Sequence, residues 1–172
     1  NAAGPMDYTP GAMLSMQPEC YSSRRPNSAS IGTRAYQLAL YVVFESNLQM
    51  MSDNPTLYNM YPDCRDYIAS CPVNWDETRV LAAEFGQYTV VARRKGSKWY
   101  IGGITNETAR DITVKLDFLT EGKSYKATSF VDAVNSAKQA MDYRKKVGQT
   151  KKGDALSIHM VRNGGFAAVL EP

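Results

Sequence analysis

The stretch from Ile31 to Asp53, IGTRAYQLALYVVFESNLQMMSD, restricts the fold more than any other part of the chain. Between Ala35 and Ser52 the only charged side chain is Glu45. Leu38, Leu40, Val42, Val43, Phe44, Leu48, Met50 and Met51 spread over more than one side of a helical wheel. A helix that is apolar most of the way round must be covered on several faces. The spacing predicts one long helix over 31–53, capped by Ser30 or Thr33. Asp53-Asn54-Pro55 is expected to end it, because proline cannot continue the hydrogen-bond ladder. Gln37, Glu45, Asn47 and Gln49 interrupt the apolar run, which rules out a membrane span.

A chain of 172 residues can bury roughly 70% of its unfolded surface without disulfide staples. Residues 4–30 hold Pro5, Pro10, Pro18 and Pro26 among small and polar residues, which predicts a short extended piece and then a long loop. A loop of that length is functional or belongs to something larger. Asn1 and Ala2 read as a tag remnant. A second helix is expected over Asp63–Ser70, stopped by Pro72. From about Glu77 the period becomes two: Tyr88, Val90 and Ala92, then Ile112, Val114, Leu116 and Phe118, then Leu156, Ile158 and Met160, each alternate with polar residues. Turn signals separate the runs, at Lys95-Gly96-Ser97, Asn106-Glu107, Glu121-Gly122-Lys123, Lys152-Gly153-Asp154 and Asn163-Gly164-Gly165. Seven or eight short strands at this spacing predict an antiparallel β-sandwich, so the fold class is mainly β. Gly102-Gly103 within a strand marks a bulge or a close backbone approach.

The chemistry-bearing residues are sparse. A formal net charge of +3 is a weak attraction for nucleic acid, and no nucleic-acid motif accompanies it. Arg93, Arg94, Lys95, Arg144, Lys145, Lys146, Lys151 and Lys152 fall at hairpin ends, where charges are normally solvated and protect sheet edges. His159, the one histidine, alternates out of the core and leaves no histidine-based zinc site or triad. Cys20, Cys64 and Cys71 allow one disulfide, Cys64–Cys71, or three free thiols. Glu45 is either a carboxylate perturbed by burial or one arm of an ion pair with an arginine. Trp75-Asp76-Glu77-Thr78 is either a sugar subsite or a domain junction in which the acids hold a turn. Trp99 and Tyr100 alternate in a strand, so one of them faces the core. Asn106-Glu107-Thr108 fits a glycosylation sequon, or in a bacterial protein a plain turn.

A more specific signal runs through the chain in order. It comprises Ala3-Gly4-Pro5-Met6-Asp7-Tyr8-Thr9-Pro10-Gly11, Gly32-Thr33-Arg34-Ala35, Leu48-Gln49-Met50, and Pro72-Val73-Asn74-Trp75-Asp76-Glu77-Thr78-Arg79-Val80-Leu81. It continues with Ala92-Arg93-Arg94-Lys95-Gly96, Trp99-Tyr100-Ile101-Gly102, Gly153-Asp154-Ala155-Leu156 and Gly164-Gly165-Phe166. In these pieces the chain resembles the C-terminal end of glycoside hydrolase family 97, the α-glucosidases and α-galactosidases of the Bacteroides starch-utilisation type.

The resemblance implies an enzyme with an N-terminal β-sandwich, a (β/α)8 catalytic barrel and a C-terminal β-domain. Residues 1–71 would then be the end of the barrel (a loop, the long helix and the short helix), and residues 72–172 the C-terminal antiparallel sandwich. The family hydrolyses α-glycosidic bonds with paired carboxylates, inverting or retaining according to their separation, beside a calcium ion. Its acid, base, nucleophile and calcium ligands match no position here, so no catalytic or metal residue is assigned, and the chain alone is expected to be inactive. Asp7 and Tyr8, at the end of a barrel strand, are the candidate sugar-binding residues, unless Asp7 merely holds a loop turn. Leu40, Phe44, Leu48 and Met51 are the candidate interface residues, and without the barrel residues 35–52 would mediate self-association. Expected partners are the barrel and N-terminal domains, a second copy in a homodimer, and an oligosaccharide substrate for the parent. A periplasmic or secreted location is also implied. The competing possibility is a free-standing carbohydrate-binding sandwich with Trp75, Trp99 or Tyr100 as its platform. A third is a complete enzyme cleaved after synthesis.

Overall fold

The computed structural model describes residues 3–22 and 29–172. Asn1, Ala2 and Pro26 lie outside them. A six-stranded antiparallel sheet forms the middle of the molecule, in the order β3-β4-β5-β10-β7-β8. Its strands are β3 (Glu77–Glu84), β4 (Tyr88–Lys95), β5 (Lys98–Thr105), β10 (Gly165–Glu171), β7 (Ser124–Asp132) and β8 (Tyr143–Lys151). One face is covered by a two-stranded sheet of β6 (Arg110–Lys115) and β9 (Ala155–Met160). The other is covered by three helices, α1 (Arg34–Val43), α2 (Pro55–Met60) and α3 (Pro62–Ser70). A short parallel pair, β1 (Ser15–Met16) and β2 (Ser30–Ile31), precedes α1.

The sandwich core follows the alternation in the sequence. Val90, Ala92, Trp99, Ile101, Tyr125, Phe166, Ala168 and Leu170 of the large sheet meet Val114, Ile158 and Met160 of the small one, with Leu116 and Leu119 just beyond β6. Every turn signal identified above lies between strands, and the β-domain has eight strands, within the expected seven or eight. The second sheet holds only two of them. Trp99 and Tyr100 are both buried, because the large sheet is covered on both faces: Trp99 enters the sandwich core, and Tyr100 joins Val42 and Val91 on the helical side. Arg93 is likewise buried rather than solvated, and its guanidinium donates to the Val43 carbonyl at 3.3 Å.

The long helix expected over 31–53 is shorter. Thr33 caps it, accepting from the Tyr36 N–H at 3.1 Å, but it ends at Val43. Past that point backbone pairing with residues 6–10 replaces the helical ladder. The Glu45 carbonyl accepts from Met6, while the Met50 and Ser52 N–H groups donate to Tyr8 and Pro10 at 3.2 Å each. Ser46 bonds to the Leu48 backbone in both directions, a local alternative that competes with helix. Gln49 Nε2 satisfies the Tyr41 carbonyl at 3.2 Å, one of the last helical acceptors. Asp53-Asn54-Pro55 opens a helix instead of closing one. Asn54 accepts from the Leu57 N–H at 3.0 Å and Pro55 takes the first position of α2, where its missing N–H costs nothing. The second expected helix is present as α3 (Pro62–Ser70).

Helix α1 lies on β5 and β10 with no side chain between them at two points. A methyl group on Gly102 would sit 2.8 Å from Val42 Cβ and 2.9 Å from the Ala39 carbonyl oxygen. One on Gly165 would come within 2.5 Å of the Tyr36 nitrogen. Gly102-Gly103 therefore marks a close approach, and the sheet's bulge lies instead in β3, between Val80 and Ala82. Gly102→Ala is expected to lower stability by about 2 kcal/mol through overpacking. Gly148→Ala on the exposed edge strand, where an added methyl meets nothing within 4 Å, is expected to change it by less than about 0.5 kcal/mol. Urea titration of the two variants measures the difference.

Candidate functional site

Asp7 and Tyr8 are the expected sugar-binding residues, and the structure ties down the segment that follows them from several directions. The fully buried Arg34 guanidinium donates twice to the Met13 carbonyl, at 3.2 and 2.6 Å. Its face stacks on Tyr61 at 3.8 Å and faces Tyr143 at 5.1 Å, so a cation–π cage holds the charge away from water. The Asp53 carboxylate accepts from the Met13 and Leu14 N–H groups. Tyr58 donates to the Gly11 carbonyl at 3.0 Å, and the Tyr41 hydroxyl lies within 3.1 Å of the Pro10 and Met50 carbonyls. Gly11, at φ +85°, has no room for a side chain beside the Tyr41 ring.

Asp7 is exposed. Tyr8 is half-buried, donates its hydroxyl to the Leu40 carbonyl at 2.5 Å and sets its ring edge-on to Phe44 at 5.3 Å. Burial pushes the Tyr8 phenol well above its ordinary range. Tyr8 and Leu40 help line an open cleft of about 400 Å³ with Tyr21, Ile31 and Gln37. Of the candidate interface residues, Leu40 is buried within the chain, Phe44 is half-buried, and Leu48 and Met51 are exposed. Met6, Tyr21, Ile31 and Met50 are exposed in the same N-terminal part of the chain.

A second web joins this segment to the β-domain. Buried Gln17 donates to the Ser136 and Arg162 carbonyls at 3.1 and 3.2 Å and accepts from Asn163 Nδ2 at 3.2 Å. Arg162 pairs with Glu19, whose carboxyl is held below its ordinary range by that guanidinium. Asp132, at the end of β7, is the least obvious member. Its Oδ2 accepts from the Val161 and Gly165 N–H groups at 3.0 and 3.1 Å, and its carboxylate also takes the Thr33 hydroxyl. It ties the helix N-terminus, the β9–β10 turn and the end of β7 to one side chain.

The remaining candidates are held by structural contacts or lie exposed. Trp75 packs edge-on against Tyr100 at 5.3 Å with Arg93 over its face at 5.9 Å, and neighbours Val42 and Val43. Asp76 accepts from the Gly96 N–H at 2.7 Å and from Lys95, and Glu77 pairs with Arg79 and Arg94. The junction reading of that motif fits; none of Trp75, Trp99 and Tyr100 forms an exposed platform. Glu45 is exposed beyond the helix end, and its charge opposes the depression of the Arg93 pKa caused by burial. His159 is exposed and meets Asp111 at 2.6 Å. The three cysteines are free. Burial pushes the Cys64 and Cys71 thiols up to about 12, so neither offers a thiolate at neutral pH. Among the described residues no group of three or more His, Cys, Asp or Glu side chains converges on one point. Arg34 stood within a quoted motif but its role was not anticipated; Asp132 carried no sequence signal beyond its place at a strand end.

The charged and aromatic side chains described above serve internal ties of the fold. The family model described as glycosyl hydrolase 97 C-terminal, oligomerisation, matches residues 74–171, and the chain belongs to glycoside hydrolase family 97. It is 47% identical over 165 residues to a retaining alpha-galactosidase of Bacteroides thetaiotaomicron, covering 96% of this chain and 25% of that protein. A probable retaining alpha-galactosidase of Streptomyces bingchenggensis is 34% identical over 98% of this chain and 24% of its own length. A family 97 enzyme from Pseudoalteromonas sp. strain K8, solved with acarbose, superimposes with a TM-score of 0.85 at 33% identity over 98% of this chain and 26% of that one. The chain thus spans about a quarter of the length of the relatives it matches.

Burial raises the Asp132 carboxyl to about 6. Between pH 4 and 6 the folded state then holds a proton that the unfolded state releases. This group's contribution to stability is therefore greatest below pH 4 and declines as pH rises to about 6. Asp132→Asn is expected to remove up to about 3 kcal/mol of that pH dependence. Urea midpoints of wild type and variant at pH 4.5, 5.5 and 7 check it; parallel profiles would contradict it.

Proposed function

We propose that this chain is the C-terminal part of a family 97 α-glycosidase that hydrolyses α-galactosides with retention. In this reading residues 74–171 stabilise the catalytic barrel and mediate homodimerisation. The single observation that carries the substrate class is the 47% identity, over 96% of the chain, to a retaining alpha-galactosidase. Residues 3–71 are proposed as the end of the barrel. Their parallel backbone pairings, Tyr8 with Gln49 and β1 with β2, support that reading, since parallel strands recur in (β/α)8 architecture. The exposed apolar strip of Met6, Leu48, Met50 and Met51, with half-buried Phe44 beside it, is proposed as the seam that the rest of the barrel covers. A calcium ion in the parent enzyme, held outside this chain, and a periplasmic or secreted location rest on the family resemblance and belong to the same proposal.

The complete gene product is expected to hydrolyse an aryl α-galactoside faster than the α-glucoside, with net retention by NMR. The 172-residue chain alone is expected to give neither turnover nor calorimetric heat with galactosides. Turnover by the chain alone, or an inverting α-glucosidase, would sink the assignment, and heat with oligosaccharides would favour a binding module. Asp7→Ala in the complete enzyme is expected to lower kcat/KM about tenfold or more, as loss of a substrate-positioning contact does. An unchanged kcat/KM with normal melting would remove Asp7 from the site.

A further inference from the structure

Within residues 74–171 the large apolar side chains left exposed are Val80, Phe85, Val134 and Val147. Phe85 differs from the others in size and setting. It sits at the tip of the β3–β4 hairpin, fully exposed, on the rim of a depression of about 530 Å³ lined mainly by Tyr36, Ala83, Tyr88 and Ile104. The tip's polar groups are already paired. Gln87 Nε2 donates to Glu84 Oε1 at 2.5 Å, and Arg110 donates to Gln87 Oε1 at 2.6 Å and to Asn106 Oδ1 at 2.7 Å. The result is an exposed aromatic knob and an apolar hollow side by side, with satisfied polar groups around them, which is the anatomy of an interface centre and its rim.

We propose that this hairpin tip is a two-fold self-association surface, in which Phe85 of each copy enters the hollow beside Tyr88 of the other. The proposal rests on the oligomerisation reading above and assigns it a surface. A knob and a hollow adjacent on one face are both engaged when a second copy is turned by 180° about an axis between them, which is the condition for an isologous dimer. The two edges of the large sheet fit this choice. The β8 edge carries exposed Arg144, Lys145, Lys146 and Lys151, whose like charges would oppose each other across a two-fold axis. The β3 edge is interrupted by the bulge between Val80 and Ala82, which discourages continuation of the sheet by backbone pairing. Side-chain exchange at the tip of β3 avoids both of these obstacles.

Sedimentation velocity and light scattering on the complete gene product test it, with wild type, Phe85→Ser and Ala83→Arg. Phe85 is fully exposed and Ala83 is exposed, so both variants are expected to melt as wild type does. The first removes the knob and the second fills the hollow; each is expected to weaken the dimer about 100-fold or more, as loss of a central anchor does. A wild-type dimer that persists in both folded variants overturns this surface while leaving the oligomerisation reading intact, and would point to Phe85 being covered by the N-terminal portion. A wild type that stays monomeric at high concentration overturns both.

Discussion

Everything on the helical side of the molecule depends on the contact between α1 and the glycines of β5 and β10. Gly102 and Gly165 let the helix backbone come against the sheet, and the apolar residues of α1 are then covered by the sheet on one side and by α2, α3 and residues 8–14 on the other. Close-packed interiors tolerate little added volume. A methyl at either glycine would lift the helix and with it Arg34 and Thr33, which anchor the preceding segment and Asp132.

The ties that follow from this contact are polar. Arg34 fixes Met13, Asp53 fixes the Met13 and Leu14 amides, and Gln17 reaches the β9–β10 turn. Buried polar groups of this kind are held firmly only when their partners are in place. Arg34 and Asp53 bind residues 13–14 to the helical layer, and Gln17 carries the connection on to the β-domain. This makes residues 7–17 a well-held segment rather than the free loop that their proline content suggests.

Two of the exposed apolar surfaces among the described residues differ in character. The strip of Met6, Leu48, Met50 and Met51 belongs to flexible side chains on irregular backbone, outside the residues matched by the oligomerisation model. Phe85 and its hollow are small, built on a regular hairpin and inside that range. The chain spans about a quarter of its relatives' length; the first surface is the proposed seam with the barrel and the second the proposed contact with another copy.

The sequence by itself determined the β-domain, because period-two alternation and glycine-containing turns act over a few residues and need no distant partner. Its ordered motifs also determined the family. A cap at Ser30 or Thr33, and α3, were legible for the same local reason, whereas Trp75-Asp76-Glu77 and Gly102-Gly103 each left two readings that only the packing around them decided. The end of α1 was decided only in three dimensions. Phe44–Ser52 could have remained helical on its own composition, but residues 6–10 offered its backbone an alternative set of hydrogen bonds. Burial of Arg93, Arg34 and Asp132 was likewise invisible, since a charged residue enters an interior only where separate elements converge to satisfy it.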